Sequence, residues 1–233
     1  MSDMIDTTEM YLRTIFELEE EGIVPMRARI AERLGHSGPT VSQTVARMER
    51  DGLLSLGGDR HLQLSEAGRV RATRVMRKHR LAERLLVEVL KLDWEFAHEE
   101  ACRWEHVMSE RVERRILELI GDDRESPYGN PIPGLGELGG PPGGADFRHG
   151  VVSLTELGGV GEQVVVVRRI GEPAQADHAG LSVLTAAGLL PGRQTRILLG
   201  DNGISAQRVD DTGGQPIGIP HDLASHVFVD APA

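Results

Sequence analysis

Four side chains that can bind metal ions follow one another closely near the middle of the chain. They are His98, Cys102, Glu105 and His106. On a helix, at 100° per residue, the four would lie within about 100° of one another and so face one region. Upstream, His79 and Glu83 are one helical turn apart and share a face. Nitrogen, oxygen and sulfur ligands together favour a divalent transition metal over Ca²⁺ or Mg²⁺.

The same residues are also compatible with roles other than metal binding. A His–Glu pair at this spacing is typical of a surface ion pair, and a lone helical cysteine is often a small buried residue. A metallo-hydrolase is a further alternative, which would need an open coordination position and a general base. The sequence has no Cys-x-x-Cys pair and no His-Glu-x-x-His motif, and no Ser-His-Asp arrangement or phosphate loop is recognisable. We therefore expect a metal-binding protein that is not an enzyme.

A second group of residues is suited to contacting DNA. A predicted helix begins at Pro39, and its residues Val41, Val45 and Met48 lie on one side and can face a core. The opposite arc is small or polar: Thr40, Gln43, Ala46, Arg47 and Arg50. The alternative for this arc is an ordinary solvated helix face.

The residues around this helix have separate expected roles. Gln43 offers a donor and an acceptor to a base edge, most simply an adenine. Ser37 and Pro39 are small enough for the helix N-terminus to approach thymine methyl groups. Arg60 could enter the minor groove or meet the backbone. Six more side chains would contact phosphates: Arg27, Arg29, Thr40, Ser42, Arg47 and Arg50.

Caps and turns predict the elements that must position these groups. Asp6 can cap a first helix. Gly35 can end a second helix over 27–34, because glycine tolerates the left-handed conformation found there. A third helix runs from Pro39 to just before Gly52.

A hairpin and further helices follow. Two short apolar segments, 53–56 and 61–64, flank a glycine turn and predict a hairpin. Two short helices, a tight turn and a hairpin describe a winged helix-turn-helix. Three further helices can be capped, the first of them running to about residue 90: the caps are Ser65, Asp93 and Ser109.

The composition changes after about residue 120. Residues 129–150 contain eight glycines and four prolines, which cannot hold a helix and predict a linker. Apolar segments at 164–167 and 195–199 then predict a small β-rich domain. The predicted α+β chain has four parts: a winged helix-turn-helix domain (1–73), a helical dimerisation and metal-binding domain (74–140), a linker (141–149) and a β domain (150–233).

Charge is unevenly distributed along the 233 residues, whose net charge is −10. Residues 1–21 carry one base and seven acids, whereas 22–75 carry nine bases and five acids. A DNA-binding surface must therefore lie in the second segment. The single cysteine excludes an intramolecular disulfide. No signal peptide is visible and no apolar stretch reaches the ~18–20 residues of a membrane span, so we expect a cytoplasmic protein without a membrane partner.

Four segments of the chain form a highly specific pattern. They are DTTEMYLRT (6–14), RARIAERL (27–34), SGPTVSQT (37–44) and ACRWEHVM (101–108). This pattern resembles the diphtheria toxin repressor family, most closely its actinobacterial iron-dependent regulators. The resemblance is dense over 3–134 and looser over 150–233, where the family has an SH3-like barrel. It implies a dimeric repressor activated by Fe²⁺, with two metal sites per subunit.

The resemblance implies two groups of metal ligands, matched here residue by residue. The first ligand set is Met10, Cys102, Glu105 and His106. The second ligand set is His79, Glu83 and His98, completed from the β domain by Glu172 and Gln175. Arg80, Ser126 and Asn130 match positions that hold an anion beside the second set. Between the last two ligands, Pro173 stiffens their loop and removes a backbone donor.

We therefore predict an Fe²⁺-dependent transcriptional repressor that binds a palindromic operator as a homodimer and controls iron-uptake or siderophore genes. A metal shared by Met10 and the distant helix would fix the N-terminal helix relative to the dimer scaffold. Surplus apolar residues would form the dimer surface: Leu85, Leu86, Val89, Leu90 and Trp104.

Several points stay open at this level. Co²⁺, Ni²⁺, Zn²⁺ or Mn²⁺ are expected to replace Fe²⁺ in vitro. A manganese-responsive regulator and a winged-helix regulator that senses an organic ligand are the alternatives. The operator could hold one dimer or two.

Overall fold

The computed structural model describes residues 6–121, 123–140, 146–200, 203–211 and 213–232. Its N-terminal part consists of three helices and an antiparallel hairpin. These are α1 (Thr7–Glu20), α2 (Arg27–Leu34), α3 (Gly38–Arg50), β1 (Leu54–Leu56) and β2 (Leu62–Leu64). The predicted winged helix-turn-helix is confirmed.

Local signals determine the ends of these helices. The Asp6 carboxylate accepts hydrogen bonds from two backbone N–H groups of the first turn of α1, at 2.9 and 3.3 Å. Gly35 ends α2 with a φ of 62°, in the region that favours glycine. Ser37 caps α3, and Pro39 lies in its first turn, where the N–H it lacks would have no partner in the helix.

Three further helices form the middle of the chain. They are α4 (Glu66–Arg84), which continues through a π-helical turn (Leu85–Val89), α5 (Trp94–Trp104) and α6 (Glu110–Ile120). Ser65 caps α4 by accepting a hydrogen bond from the Gly68 N–H at 3.0 Å. Asp93 and Ser109 stand before α5 and α6, but neither side chain makes a capping hydrogen bond within the described residues.

Helix α5 is shorter than a helix that would carry all four predicted ligands, from His98 to His106. It ends at Trp104, whose carbonyl oxygen accepts from the N–H groups of Val107 and Met108 at 3.1 and 3.0 Å. The backbone tightens there before it reverses into α6. Glu105 and His106 therefore lie in the turn after the helix, and the prediction of one continuous helix through all four ligands was wrong.

The glycine- and proline-rich stretch also differs from the predicted linker, because its residues 129–140 are packed within the fold. Ile170 donates its N–H to the Tyr128 carbonyl oxygen at 2.9 Å, and the Tyr128 side chain lies in the core of the β domain. Gly129, with a φ of 79°, is so close to β-domain backbone that a Cβ would lie 1.8 Å from the Arg168 carbonyl oxygen. Glycine here permits close packing.

The C-terminal part is a six-stranded antiparallel sheet with three short helices. The elements are β3 (Val151–Ser153), β4 (Gly161–Ile170), α7 (Glu172–Gln175), α8 (His178–Ala187), β5 (Gln194–Gly200), β6 (Gly203–Arg208), β7 (Ile217–Ile219), α9 (His221–Ser225) and β8 (Val227–Asp230). The strand order is β3-β8-β4-β5-β6-β7. The first half of β4 pairs with β5 and its second half with β8, across a register shift. The predicted β domain is confirmed; of the predicted linker, residues 141–145 lie outside the described residues.

Buried charges fasten the β domain to the helical part. Arg80 of α4 donates to Glu20 of α1 at 2.6 Å and to Glu172 of α7 at 3.0 Å. Glu21, just after α1, accepts from His226 at 3.1 Å and from Arg33 at 2.8 Å. Across the described residues, none of the helices combines the length and the apolar character needed to cross a membrane.

Candidate metal centre and DNA interface

The second ligand set is assembled around one point. Its donor atoms are His79 Nε2, Glu83 Oε1, His98 Nδ1, Glu172 Oε2 and Gln175 Oε1, all on buried residues. His79 Nε2 lies 2.8 Å from the Glu83 oxygen and 3.1 Å from the His98 nitrogen. His98 Nδ1 lies 3.1 Å from the Gln175 oxygen and 3.4 Å from the Glu172 oxygen. Donor atoms of the two histidines and two glutamates all lie within 4.8 Å of one another.

Neighbouring groups orient the two members that come from the β domain. Gln175 Nε2 donates to the Ile170 carbonyl oxygen at 2.6 Å, which turns the amide oxygen toward the histidines. Arg80 contacts Glu172 through Oε1, so that Oε2 faces the set. Pro173 occupies the second position of α7, where its missing N–H would have no partner within the helix. It therefore does not disturb the spacing of the two ligands.

The residues of this set fit a divalent transition metal. Glu83 Oε2 and Glu172 Oε2 are buried and have no hydrogen-bond partner among the described residues. Buried carboxylate oxygens without donors are costly, and a cation would satisfy them. Two imidazoles, two carboxylates and an amide oxygen are the ligand types that such metals accept.

The charge state of His79 links this set to pH. Both ring nitrogens face carboxylates, Nδ1 at 2.7 Å from Glu105 and Nε2 at 2.8 Å from Glu83. Burial alone would lower the pKa of His79, but Glu83 and Glu105 raise it well above its usual value. Burial is likewise outweighed at Glu83, whose pKa is lowered by His79. An imidazole nitrogen must lose its proton to bind a metal, so binding here competes with protons.

The first ligand set is only partly assembled, because Arg13 of α1 lies among its donors. Arg13 Nη1 donates to Glu105 Oε2 at 2.7 Å and to Cys102 Sγ at 3.2 Å. It also lies 3.1 Å from His79 Nδ1, a member of the second set. Arg13 Nε lies 2.8 Å from Glu17 Oε1 without hydrogen-bonding alignment. A guanidinium thus joins α1 to the end of α5.

The remaining members of the first set lie near the first turn of α1. His106 Nδ1 donates to Glu9 Oε2 at 2.8 Å, and its Nε2 lies 3.3 Å from Glu105 Oε1. Met10 follows Glu9 directly; it is half-buried and packs against the apolar core of the N-terminal domain. The start of α1 therefore lies beside His106, through Glu9.

Charge favours the deprotonated forms of two members of this set. Burial alone would raise the pKa of the Cys102 thiol, but Arg13 and His98 hold it well below its usual value. At Glu105, burial is outweighed by Arg13 and His79, and the pKa falls to about 2. A thiolate and a carboxylate are the forms that bind a metal.

The two sets touch each other. His98 Nε2 lies 3.5 Å from Cys102 Sγ. His79, His98 and Cys102 also form a group whose donor atoms lie within 4.8 Å. Geometry alone therefore does not divide the ligands into two sites, and that division stays a prediction from the family pattern.

The residues predicted to hold an anion are buried near the second set. The Arg80 guanidinium contacts two carboxylates, those of Glu20 and Glu172. Asn130 Nδ2 donates to a backbone carbonyl oxygen of β4 at 2.9 Å, and Ser126 Oγ accepts from a backbone N–H at 3.2 Å. Acidic groups therefore contact Arg80 here, and the anion-binding role stays a prediction.

The predicted DNA face lies on the exposed side of α3. Val41, Val45 and Met48 are fully buried, as their phase predicted. Ser42 is half-buried, and Arg60 at the hairpin tip has a φ of 67°. Apart from Ser42, the residues predicted to contact DNA are all exposed: Arg27, Arg29, Ser37, Pro39, Thr40, Gln43, Arg47, Arg50 and Arg60. Their individual contacts with bases and phosphates stay predictions.

Sequence reasoning missed the charged residues of α1 that surround the ligands. Glu9, Arg13 and Glu20 all contact predicted site residues. A signal for Arg13 did exist, since it follows Met10 by three residues and so shares its helix face. It is also the one basic residue among residues 1–21.

Two protein-family models match consecutive parts of the chain. The model described as iron dependent repressor, N-terminal DNA binding domain, matches residues 3–62. The model described as iron dependent repressor, metal binding and dimerisation domain, matches residues 65–134. Together they include α1 to α6, and so the ligands His79 and Cys102 as well as the exposed face of α3.

Individual proteins match over nearly the whole length. The iron-dependent repressor IdeR of Mycobacterium tuberculosis is 54% identical over 231 residues, which is 99% of each chain. The diphtheria toxin repressor of Corynebacterium glutamicum is 53% identical over 219 residues, 91% of this chain and 95% of that one. A solved manganese-dependent transcriptional repressor in complex with manganese superposes with a TM-score of 0.79 at 25% identity, covering 97% of this chain and all of the other. The similarity therefore extends through the β domain.

Proposed function

The chain belongs to the iron-dependent repressor family, and on that premise we propose how its metal ligands control its DNA-binding domain. It is an iron-dependent transcriptional repressor with DNA-binding and dimerisation domains, and it is not an enzyme. We propose that the first ligand set is the switch and that the second set fastens the β domain to the helical part. The observation that carries this proposal is the position of α1, which bears Met10 and contacts the end of α5 through Arg13.

Helix α1 is suited to transmit a change at the ligands to the DNA face. Its residues Tyr11, Leu12 and Ile15 are fully buried in the same core as Val41 and Val45 of α3. Because such cores are close-packed, a fixed α1 also fixes α3. When bound, Fe²⁺ supplies a divalent charge that ligands on α1 and α5 can share. A change in the angle between two linked structural elements is a known type of conformational switch.

The dimer provides two reading helices. We propose a palindromic operator contacted by the two α3 helices, spaced by about 34 Å or a multiple of it. Of the residues predicted for the dimer surface, Val89 and Leu90 are 44% and 57% exposed, Leu85 and Trp104 are half-buried, and Leu86 is buried in its own subunit. Val89 and Leu90 are therefore the residues that we expect to gain most burial in a dimer. We expect iron-uptake or siderophore genes as targets and the cytoplasm as the compartment.

Binding-site selection followed by anisotropy tests this function. The full-length protein is first used anaerobically, with Fe²⁺, to select sites from random duplex DNA. We expect a palindrome whose affinity falls about 5–150-fold after chelation, as typical couplings predict. Sedimentation of the complex then distinguishes one dimer per operator from two. Equal affinity before and after chelation would contradict the proposal, and activation by Mn²⁺ but not Fe²⁺ would indicate the manganese-responsive alternative.

The same assay tests the DNA face. Gln43→Ala should relax the base preference at one position of each half-site, whereas Arg50→Ala should weaken binding to all sequences alike. Both side chains are exposed on α3, so neither change should affect folding. Identical effects of the two substitutions on specificity would contradict the assignment of α3 to the groove.

A further inference from the structure

The positively charged side chain of Arg13 contacts residues of both ligand sets. Its Nη1 contacts Glu105 and Cys102 of the first set and lies 3.1 Å from His79 of the second. From these contacts we propose that Arg13 is an internal cation that competes with the metal for the first ligand set and sets the selectivity and affinity of that set. This inference rests on the proposed function, because it takes the first set as the switch.

The competition follows from which lone pairs Arg13 uses. A guanidinium has only N–H donors, so each of its contacts occupies a lone pair of the partner atom. Arg13 Nη1 donates to both anionic donors of the set, at 2.7 Å to Glu105 Oε2 and at 3.2 Å to Cys102 Sγ. A metal that takes those lone pairs must move Nη1 away. Arg13 and a bound metal are also like charges, which adds repulsion at short range in a buried site.

The structure offers the guanidinium another place. Glu17, one turn further along α1, lies 2.8 Å from Arg13 Nε, and its side chain is buried as well. A cavity of about 330 Å³ adjoins this pair, and the residues that line it include Arg13, Glu17, Arg33, His98 and Glu172. Arg13 can therefore turn away from Glu105 and still keep Glu17 as a carboxylate partner.

The contact with His79 couples the two sets. Arg13 Nη1 lies 3.1 Å from His79 Nδ1 and 2.7 Å from Glu105 Oε2. The His79 nitrogen and the Glu105 oxygen are themselves 2.7 Å apart. Movement of Arg13 on loading of the first set removes its contact with His79 and places a divalent ion on the neighbouring Glu105. Binding to one set should thus change the affinity of the other, and the coupling must be reciprocal.

Substitution of Arg13 separates competition from a structural role. We would titrate Co²⁺ anaerobically into Arg13→Gln and follow the thiolate-to-cobalt absorption, which reports Cys102. The competition predicts about tenfold tighter Co²⁺ binding in this variant, together with a lower thermal unfolding temperature after chelation, because Glu105 and Glu17 lose their partner. A merely structural arginine would instead weaken binding when it is removed.

Arg33→Gln is the matched control. Arg33 lines the same cavity and pairs with Glu21; among the described residues, the carboxylates within 4 Å of it are those of Glu17 and Glu21, and neither is a predicted ligand. Its removal changes the net charge equally and should leave Co²⁺ affinity within about twofold. If Arg13→Gln does not fold, Arg13→Lys gives the same comparison, with an intermediate gain in affinity, because an ammonium lacks the planar fork of donors.

Two results would overturn the inference, and they can be told apart. Unchanged or weaker Co²⁺ binding in Arg13→Gln and Arg13→Lys, with the sulfur absorption retained, refutes the competition but leaves the switch intact. Absence of the sulfur absorption even in the unaltered protein refutes the first ligand set itself, and the competition falls with it.

Discussion

The two ligand sets differ in how completely the fold brings them together. In the second set, donors from α4, α5 and α7 already converge, and Arg80 and the Ile170 carbonyl hold Glu172 and Gln175 in position. In the first set, Arg13 lies between the donors, and His106 is paired with Glu9. One set is therefore built into a rigid core, and the other depends on where α1 lies.

The difference indicates separate tasks. A site whose donors are fixed by buried neighbours changes little when an ion binds, so it suits a structural role. A site whose donors must exchange partners can convert binding into movement of a helix. Sharing of His79 and His98 between the groups keeps the two tasks coupled.

The largest expected effect is on the free energy of unfolding, when the buried charge that holds the second set is removed. Arg80 is fully buried between Glu20 and Glu172, so Arg80→Met leaves the buried Glu172 and the half-buried Glu20 without their partner. We expect a loss of about 3–5 kcal/mol in the free energy of unfolding, measured with urea. The control Arg103→Met removes exposed pairs on α5 and should cost less than about 1 kcal/mol. Similar losses for both would mean that Glu172 is not held by a buried charge.

The next effect separates the two sets by function. Cys102→Ala removes the sulfur ligand of the first set, and we expect metal-dependent operator affinity to fall about 5–150-fold in anisotropy titrations. Gln175→Ala removes a neutral ligand of the second set and should reduce that affinity by less than about fivefold. Binding after chelation serves as the control and should be the same for both variants. Equal losses would show that the switch is not confined to one set.

The elements of the fold could be predicted because their signals are local. Gly35 ends α2 through its own left-handed conformation, and Ser65 caps α4 by a hydrogen bond from Gly68, three residues further along the chain. The stretch 129–140 could not, because its composition describes the freedom of an isolated backbone. Whether Gly129 gives flexibility or allows a close approach to β4 depends on what packs against it.

The site was predictable only where its residues share an element. Helical spacing placed His79 beside Glu83, and their side chains do meet at 2.8 Å. No periodicity can bring Gln175 from the β domain to His98, and only the family pattern indicated it. Arg13 was missed because an arginine one turn from Glu17 predicts an ordinary surface pair.

A smaller effect concerns the attachment of the β domain to α1. Burial alone would raise the pKa of Glu21, but the hydrogen bond from His226 and the charge of Arg33 lower it. The ionised carboxylate therefore stabilises the fold above its unfolded pKa of about 4.3, and that contribution is lost as pH falls through the lower folded pKa. We expect Glu21→Gln to cost about 1.5–3 kcal/mol at pH 7 in urea unfolding.

The difference between this variant and the unaltered protein should shrink as the pH is lowered below about 4.3. Glu32→Gln, at an exposed carboxylate of α2 paired with Arg29, is the matched control. A constant difference across this pH range would mean that the charge of Glu21 does not fasten the domain.

The smallest expected effect tests whether the first set alone depends on α1. Asp6 caps α1 with hydrogen bonds to its first turn, which carries Glu9 and Met10, so Asp6→Ala should cost about 1 kcal/mol in urea unfolding. Because that turn lies beside His106, cobalt binding monitored by the sulfur absorption should weaken a few-fold, whereas binding to the second set should not change. Asp93→Ala is matched to it, since Asp93 precedes α5 without a capping hydrogen bond in the described part of the chain and should cost less than about 0.5 kcal/mol. If Asp6→Ala weakens both sets alike, α1 supports the whole centre and the contrast between a rigid and a movable set does not hold.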